Sequence, residues 1–330
     1  MKKALPVLIL ILLMTACSNS DKQEKIDLTQ MWGTYFGESF PGSKAESFLK
    51  GLVDEEHSVQ NFCFSKDGSE FYFVRTTLDD DSATIFFSKK VNDAWSKPTA
   101  VSFSGVYNDT DPFIDSTNNT MYFSSDRPRP GEKESWFDFN IWAAERKDSL
   151  WGTPYLIDSL NSTEDEYYPS VSTDGTIYFA SARKESMGYW DIYSFENNSG
   201  VTKVDSPISS KYRDWDPYIS PDNKFLLFVS DRPDSGYGSG DIYVSKKTET
   251  GWGTPVNLGD EINTNDYEYC PRISYDGKFL FFTRLEATGE NFSREKGVDT
   301  RNPFEFEYLP EAGRNVLYWI SVDSLKAFHK

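Results

Sequence analysis

The chain has 330 residues, a formal net charge of −18 at pH 7 and an aromatic content of 16%. Nucleic acid and anionic lipid are disfavoured as partners, because both would repel such an acidic surface. Many Tyr and Phe residues, with Gly and Pro spread throughout, favour short strands and turns over long helices. We therefore expect an all-β protein.

The first sixteen residues have the pattern of an export signal. Lysines at positions 2 and 3 precede an apolar run over residues 5–14, which is too short to span a bilayer comfortably. Residues 14–17 read Met-Thr-Ala-Cys and resemble a bacterial lipobox, with Met where Leu is commoner. The resemblance implies cleavage before Cys17 and acylation of that cysteine. An ordinary signal peptide with an incidental cysteine is the alternative.

A unit of about 50 residues recurs five times along the rest of the chain, which is the length of a propeller blade with variable loops. Its predicted first strands begin at Phe62, Pro112, Pro169, Pro217 and Pro271. In four units a tight turn follows, with residues that tolerate the positive φ of a two-residue hairpin. These turns are Asp67-Gly68, Asp174-Gly175, Asp222-Asn223 and Asp276-Gly277.

The later strands of each unit repeat as well. Second strands are almost continuously apolar, as expected for sheets covered on both faces; they begin near Phe71, Met121, Ile177, Leu226 and Leu280. Third strands begin at Ile85, Ile141, Ile192, Ile242 and Leu317. Fourth strands are introduced in three units by Trp-x-x-Pro, at Trp95, Trp151 and Trp252, and in the third unit by residues 201–208 without the Trp.

The fifth unit lacks a fourth strand, and residues 45–52 can supply it. This stretch lies just upstream of the first unit, where a fourth strand lies upstream of every other unit. Pairing it with residues 317–319 would close the ring without an open interior edge. The sequence therefore predicts a β-propeller of five four-stranded blades closed by an N-terminal strand. A sixth blade built from residues 286–315 is the alternative.

The repeat resembles the TolB-like, WD-like β-propeller family of exported bacterial proteins. The matching residues are the Ser-x-Asp-Gly turns, Ser-Asp-Arg-Pro at 125–128 and 230–233, and Asp-Ile-Tyr at 191 and 241. The resemblance covers residues 45 to 325 and implies a propeller that binds protein partners in the envelope. Other members sit beside a peptidase domain, which has no counterpart in this sequence.

These patterns divide the chain into three parts. Residues 1–16 are expected to be a lipoprotein signal peptide, residues 17–30 a polar tether, and residues 31–330 a single propeller domain. The expected location is the cell envelope, on the periplasmic side of a membrane. Residue 18, directly after the expected anchor, is Ser and not the aspartate that is associated with inner-membrane retention in some bacteria, which favours the outer membrane.

Two charged features recur at one rim of the predicted ring. An acid stands three residues before four of the first strands: Asp109, Glu166, Asp214 and Glu268. An arginine, which can pair bidentately with carboxylate, follows each second strand: Arg75, Arg127, Arg183, Arg232 and Arg284. Residues present in every blade are expected to hold neighbouring blades together. The alternative is a ring of carboxylates that gathers a cation or a basic ligand.

Aromatic residues that depart from the repeat are the better candidates for a binding rim. Exposed aromatics beside carboxylates suit sugar stacking or recognition of a protein segment. The insertion at residues 129–139 carries Trp136 and Phe137, and the third unit has Tyr189 and Trp190 in its loop. Trp215 stands next to the rim acid Asp214. Aromatics that fold back over blade edges are the alternative.

The sequence offers little for catalysis. With only His57 and His329, a Ser-His-Asp triad or a His-ligated zinc site is not expected, and we predict neither metal nor cofactor. No Gly-x-Ser-x-Gly elbow or phosphate-binding glycine motif occurs. Cys63 and Cys270 are expected to be small buried residues, with a disulfide as the alternative.

The predicted function is a non-catalytic binding or scaffold module for an envelope protein or a polysaccharide. A glycosidase or sialidase-like hydrolase using rim carboxylates is the alternative.

Overall fold

The computed structural model describes residues 29, 31–52, 57–77, 82–133, 138–233, 237–238, 240–287 and 313–329. Within them the chain forms 23 strands in five antiparallel sheets, with a single short α-helix, α1, at Lys326–His329. The helix and the 3-10 turns cover few residues, as the aromatic and turn-rich composition predicts. No helix in this part of the chain is long and apolar enough to cross a membrane.

The five sheets are the blades of a propeller, so the predicted fold is confirmed. Blade 1 contains β2 (His57–Phe64), β3 (Glu70–Thr77), β4 (Ala83–Val91), β5 (Ala94–Trp95) and β6 (Thr99–Ala100). Blade 2 contains β7 (Asp109–Ile114), β8 (Thr120–Ser125), β9 (Asn140–Lys147), β10 (Leu150–Trp151) and β11 (Tyr155–Leu156). Blade 3 contains β12 (Glu166–Val171), β13 (Ile177–Ser181), β14 (Asp191–Glu196) and β15 (Gly200–Lys203).

Blades 4 and 5 complete the ring. Blade 4 contains β16 (Asp214–Ile219), β17 (Phe225–Ser230), β18 (Asp241–Thr248), β19 (Gly251–Trp252) and β20 (Val256–Asn257). Blade 5 contains β21 (Tyr267–Ile273), β22 (Phe279–Ala287), β23 (Gly313–Ser321) and, as its outer strand, β1 (Glu46–Ser47). The predicted closing strand is therefore confirmed: Glu46 lies opposite Trp319 and Ser47 opposite Tyr318.

The recurring Trp-x-x-Pro segments form a small hairpin at the outer edge of three blades. In blade 1, Trp95 pairs back onto the end of β4, and the chain then returns to the middle of β4 as β6. Blades 2 and 4 repeat this arrangement around Trp151 and Trp252. The proline falls between the two short strands, where it interrupts no ladder.

The core lies between blades, where the apolar second and third strands of neighbouring sheets face each other. The largest buried cluster joins blades 3, 4 and 5, and a second, mainly aromatic cluster fills the space between blades 5 and 1. Tyr35 and Phe36, from a 3-10 turn ahead of β1, are both buried in this second cluster. The N-terminal segment therefore contributes to the core as well as to the sheet.

Antiparallel pairing gives the ring two distinct faces. The turns between first and second strands lie on one face, which we call the turn face. The linkers into the first strands and the loops between second and third strands lie on the other, which we call the loop face. The predicted rim residues that the structure describes belong to the loop face.

Candidate functional site

The four predicted rim acids are each paired with the arginine of their own blade. The acid is the first residue of the blade's first strand, which is its inner strand, in blades 2, 3 and 4, and the second residue in blade 5. The nitrogen–oxygen distances are 2.5 Å for Asp109–Arg127, 3.0 Å for Glu166–Arg183, 2.5 Å for Asp214–Arg232 and 2.8 Å for Glu268–Arg284. All four carboxylates are fully buried. They face arginine and not solvent.

The acids and arginines also fasten the linker that precedes each blade. In blade 4, Ser210 donates its N–H and its hydroxyl to Asp214, and Arg232 donates to the carbonyl of Ile208 at 2.7 Å. Blade 3 repeats these contacts through Ser162, Glu166, Arg183 and the carbonyl of Leu160; blade 5 does so through Thr264, Glu268, Arg284 and the carbonyl of Ile262. Each acid–arginine pair thus connects a blade to the chain arriving from its neighbour.

Burial affects the protonation of three rim acids. Loss of hydration raises the pKa of Asp109, Asp214 and Glu268, and the charge of the paired arginine opposes that rise. A buried carboxylate of this kind is stable only while its arginine and hydroxyl donors remain in place.

Blade 1 departs from this arrangement. Val59 lies opposite Arg75, where the other blades have an acid, and an Arg75 nitrogen lies 2.8 Å from Nδ1 of His57. His57, the first residue of β2, is therefore part of the loop face.

The predicted aromatic residues are found in different environments. Trp136 and Phe137 lie outside the described residues. Tyr189 is 38% exposed, whereas Trp190 and Trp215 are largely buried. Of the predicted aromatic residues that the structure describes, Tyr189 alone presents a large exposed surface.

The loop that carries Tyr189 has a counterpart in blade 4 and is therefore part of the repeat. Met187 donates its N–H to Asp191 in blade 3, as Tyr237 does to Asp241 in blade 4. A glycine is needed in both loops: a Cβ on Gly188 would lie 1.8 Å from the carbonyl oxygen of Tyr212. Tyr237 is 47% exposed, so neighbouring blades present one tyrosine each.

Aromatic rings pack at and behind these exposed residues in two groups. Phe139 contacts Tyr167 at a centroid distance of 4.7 Å, Tyr167 contacts Trp190 at 5.3 Å, and Trp190 contacts Tyr189 at 5.8 Å. In blades 4 and 5, Trp215 stacks on Tyr267, which contacts Tyr269 at 5.1 Å. We call these seven residues the aromatic arc. It follows the inner edge of the loop face from blade 2 to blade 5.

A ring of bulges surrounds the propeller axis beneath the arc. In every inner strand the register shifts at one residue with positive φ, just beyond the rim position. These five residues are Asn61, Asp111, Tyr168, Asp216 and Cys270, with φ between 40° and 55°. Four of them precede proline, which fits a bulge because the ladder is already interrupted there.

The bulge residues make contacts across the axis. Asn61 donates to Asp111, which also accepts the N–H of Tyr168 at 3.0 Å, and Asp216 accepts the N–H of Cys270 at 2.9 Å. The Tyr168 hydroxyl donates to the carbonyl of Pro271. Hydrogen bonds of the bulge residues thus link neighbouring blades near the axis.

Arg272 occupies the axis below the bulges. It is almost fully buried, donates to the carbonyl of Pro112 at 2.7 Å, and lies over the rings of Phe113 and Tyr168. Its Nε and Nη2 have no hydrogen-bond partner among the described residues. A guanidinium packed between aromatic rings thus fills part of the space around the axis.

The two axial carboxyls differ from the rim acids because neither is paired with an arginine in a salt bridge among the described residues. Burial, followed by the neighbouring charge of Asp111, raises the pKa of Asp216 to about 7. Burial also raises the pKa of Asp111, against hydrogen bonds from Ser124, Tyr168 and Asn61. Burial thus favours the neutral form of both axial carboxyls.

Sequence reasoning missed this axial set, although one signal was present. The inner strands of blades 2 to 5 share the spacing acid-x-X-Pro, in which X is the bulge residue. Only the acid and the proline repeat, because the residue between them varies from blade to blade.

The structure also places the two cysteines at the inner strands. Cys63 and Cys270 are both buried and free, and burial raises the pKa of each thiol. Among the described residues, no group of three or more His, Cys, Asp or Glu side chains could hold a metal ion.

Comparisons with known proteins identify the architecture. No protein-family model matches the sequence. A search of curated proteins likewise finds no match. A thermostable family-43 glycoside hydrolase superposes with a TM-score of 0.51 at 12% identity, covering 82% of this chain and 92% of that enzyme.

Two further solved structures are less similar. TolB from Acinetobacter baumannii gives a TM-score of 0.45 at 17% identity and covers 71% of this chain. The chain spans about half the length of that TolB structure. A Hadza microbial sialidase gives 0.45 at 11% identity, covering 86% of this chain and 68% of the sialidase. Of the three, the similarity to the family-43 glycoside hydrolase supports a shared fold, and at 12% identity it shows the fold alone.

Proposed function

We propose that this propeller is an exported, non-catalytic binding module, held in the cell envelope by an acylated Cys17. Its ligand is an envelope protein or a polysaccharide, and it binds on the loop face. The observation that carries the proposal is the aromatic arc, in which Tyr189 is exposed, together with the exposed Tyr237 of the neighbouring blade. Rings of this kind suit both sugar stacking and the anchoring of a protein segment.

The rim acids support binding over catalysis. All four are buried and hold arginine, so they are engaged in structure and have no free carboxylate to offer a substrate. The outer membrane is the proposed location, reached through residues 1–17.

A binding experiment tests the proposal on the mature chain. We expect a defined envelope protein, or a purified envelope polysaccharide, to bind the parent protein. We expect the double variant Tyr189→Ala with Tyr237→Ala to lose most of that affinity, because both rings are removed from the loop face. Tyr155→Ala is the matched control, since Tyr155 is an exposed tyrosine on an outer strand. Equal loss in this control would contradict a loop-face site.

A glycan-active hydrolase is the second candidate, and the axial carboxyls favour it. Asp216 and Asp111 have no arginine partner in a salt bridge among the described residues, and two acids in different environments are the arrangement that glycosidases use. Both are buried, so hydrolysis would require that a substrate reach them from the loop face. The similarity in fold to a family-43 glycoside hydrolase is compatible with this reading. Turnover of a chromogenic glycoside that is abolished by Asp216→Asn and by Asp111→Asn separately would establish hydrolysis and refute the binding-only proposal.

A further inference from the structure

The N-terminal segment lies on the turn face, between blades 5 and 1. Trp32 forms a bridge with Ala94, and the N–H of Gly33 donates to the carbonyl of Asp93 at 2.9 Å. The Tyr35 hydroxyl donates to Asp276, in the turn of blade 5, at 2.7 Å. These contacts hold residues 32–35 at the edge of the turn face, on the opposite side of the ring from the aromatic arc.

Two aromatic rings of this segment are directed outward from a packed base. Trp32 is 58% exposed and Phe40 is 60% exposed, more than any other aromatic side chain among the described residues. Between them, Tyr35 and Phe36 are only 2% exposed. Phe40 also contacts Phe279, so its backbone position is defined by packing while its outer surface remains uncovered.

We infer that Trp32 and Phe40 rest on the bilayer that holds Cys17, with the loop face turned away from it. This inference depends on the proposed lipid anchor. Roughly 14 residues separate Cys17 from Met31, and they cannot span more than about 50 Å. The acylated end therefore stays within about 50 Å of the edge where these two rings emerge.

The chemistry of the two rings fits the membrane–water interface. Trp is enriched at that interface because its indole is mostly apolar and retains one polar N–H. Two rings would bind a vesicle only weakly by themselves. A covalent tether makes the contact intramolecular, so a weak preference is enough to orient the molecule.

The turn face carries charges of both signs. Its turns present the carboxylates of Asp67, Asp115, Asp174, Asp222 and Asp276, but Lys224 and Lys278 pair with two of them at 3.0 and 3.1 Å. The face therefore selects no headgroup charge, and zwitterionic lipid is the condition in which the contribution of the two rings is measured by itself. The contact should be restricted to the edge carrying Trp32 and Phe40, and not extend across the whole face.

An environment-sensitive fluorophore at single engineered cysteines tests the orientation. The acylated full-length protein is placed in phosphatidylcholine vesicles as Trp32→Cys or Val106→Cys, each labelled with the same dye. Val106 is 82% exposed on the loop face, and Cys63 and Cys270 are buried and should not react. We expect the dye at position 32 to shift to shorter wavelength and to be quenched by lipid-borne quencher, and the dye at position 106 to do neither.

Two outcomes would overturn the inference. One is co-sedimentation with the vesicles without any change at position 32, and the other is an equal change at position 106. If the protein is not acylated and does not co-sediment, the proposed anchor itself fails, which is a different result. Leu150→Cys serves as a control on the same face in blade 2, where an edge contact predicts a smaller shift than at position 32.

Discussion

Asp214 accepts hydrogen bonds from the N–H and hydroxyl of Ser210, from the hydroxyl of Ser230 and from Arg232, at distances between 2.5 and 2.8 Å. A carboxylate surrounded by donors in this way connects the linker, the inner strand and the second strand of blade 4. Its removal should be felt as lost stability, because the charge of Arg232 would remain without its partner.

We expect Asp214→Asn to lower the free energy of unfolding by about 3 kcal/mol or more, measured by urea denaturation. The affinity for ligand should be unchanged under conditions in which the variant remains folded. Asp93→Asn is the control: Asp93 is exposed and lies 4.0 Å from Lys90, so its loss should cost less than about 0.5 kcal/mol. Loss of binding without loss of stability in Asp214→Asn would indicate that the acids contact ligand directly.

Asp216 should make stability depend on pH in the opposite sense from a salt-bridged acid. Its folded pKa is about 7 and its ordinary value is 3.8, so between these values the folded protein keeps a proton that the unfolded chain has released. Stability should therefore fall as pH rises from about 4 to about 7.

We expect Asp216→Asn to flatten this fall between pH 5 and pH 8, since Asn does not titrate and its carbonyl can still accept from Cys270. Urea denaturation at the two pH values provides the measurement. Asp67→Asn should leave the slope intact, because hydrogen bonds lower the pKa of Asp67 and its titration lies below this window. An unchanged slope in Asp216→Asn would mean that Asp216 is ionised throughout.

Among the secondary-structure elements, the short strand β1 closes the ring. It is two residues long, yet it supplies the outer strand of blade 5 and leads directly into Phe48, whose N–H donates to the carbonyl of Leu317 at 2.7 Å. The Phe48 ring is buried against Trp319 and Phe281 at centroid distances of 4.9 and 5.1 Å. Side-chain packing, more than strand length, therefore holds the ring closed.

We expect Phe48→Ala to destabilise the protein by about 3–5 kcal/mol through the cavity it leaves between blades 5 and 1, visible as a lower thermal midpoint. Phe40→Ala removes the same ring from an exposed site nearby and should cost less than about 1 kcal/mol. Similar losses in the two variants would contradict a closing role for Phe48.

The elements were predictable to different degrees for physical reasons. Asp-Gly turns and apolar strands recur with fixed spacing because hairpin geometry demands them, so five blades and the closing strand follow from the sequence. The loop around Gly188 was misread as a departure from the repeat. The feature that repeats is a glycine packed against the backbone of the following linker, Gly188 against Tyr212 and Gly238 against Asp266, and a single glycine carries too little signal to reveal it.

For the molecule as a whole, the sequence predicted the ring but not where its chemistry lies. Rim acids and arginines stood out because they repeat, and the structure shows them buried in ion pairs. The axial residues were overlooked because they do not repeat. Where packing requires the same side chain in every blade, the residue repeats in the sequence and marks a structural role. Where packing requires only the same backbone conformation, the side chain differs from blade to blade and gives no repeat to recognise.

The bulge ring has an evolutionary consequence. At one position in each inner strand the backbone is already left-handed, and it holds Asn, Asp, Tyr, Asp and Cys with nearly the same φ. The five side chains are buried and contact one another, so a substitution at one bulge changes the polar contacts around the axis while the inner strand keeps its bulge. Related propellers with the same bulges would therefore differ at the axis in the contacts that join their blades, and not in the path of the backbone.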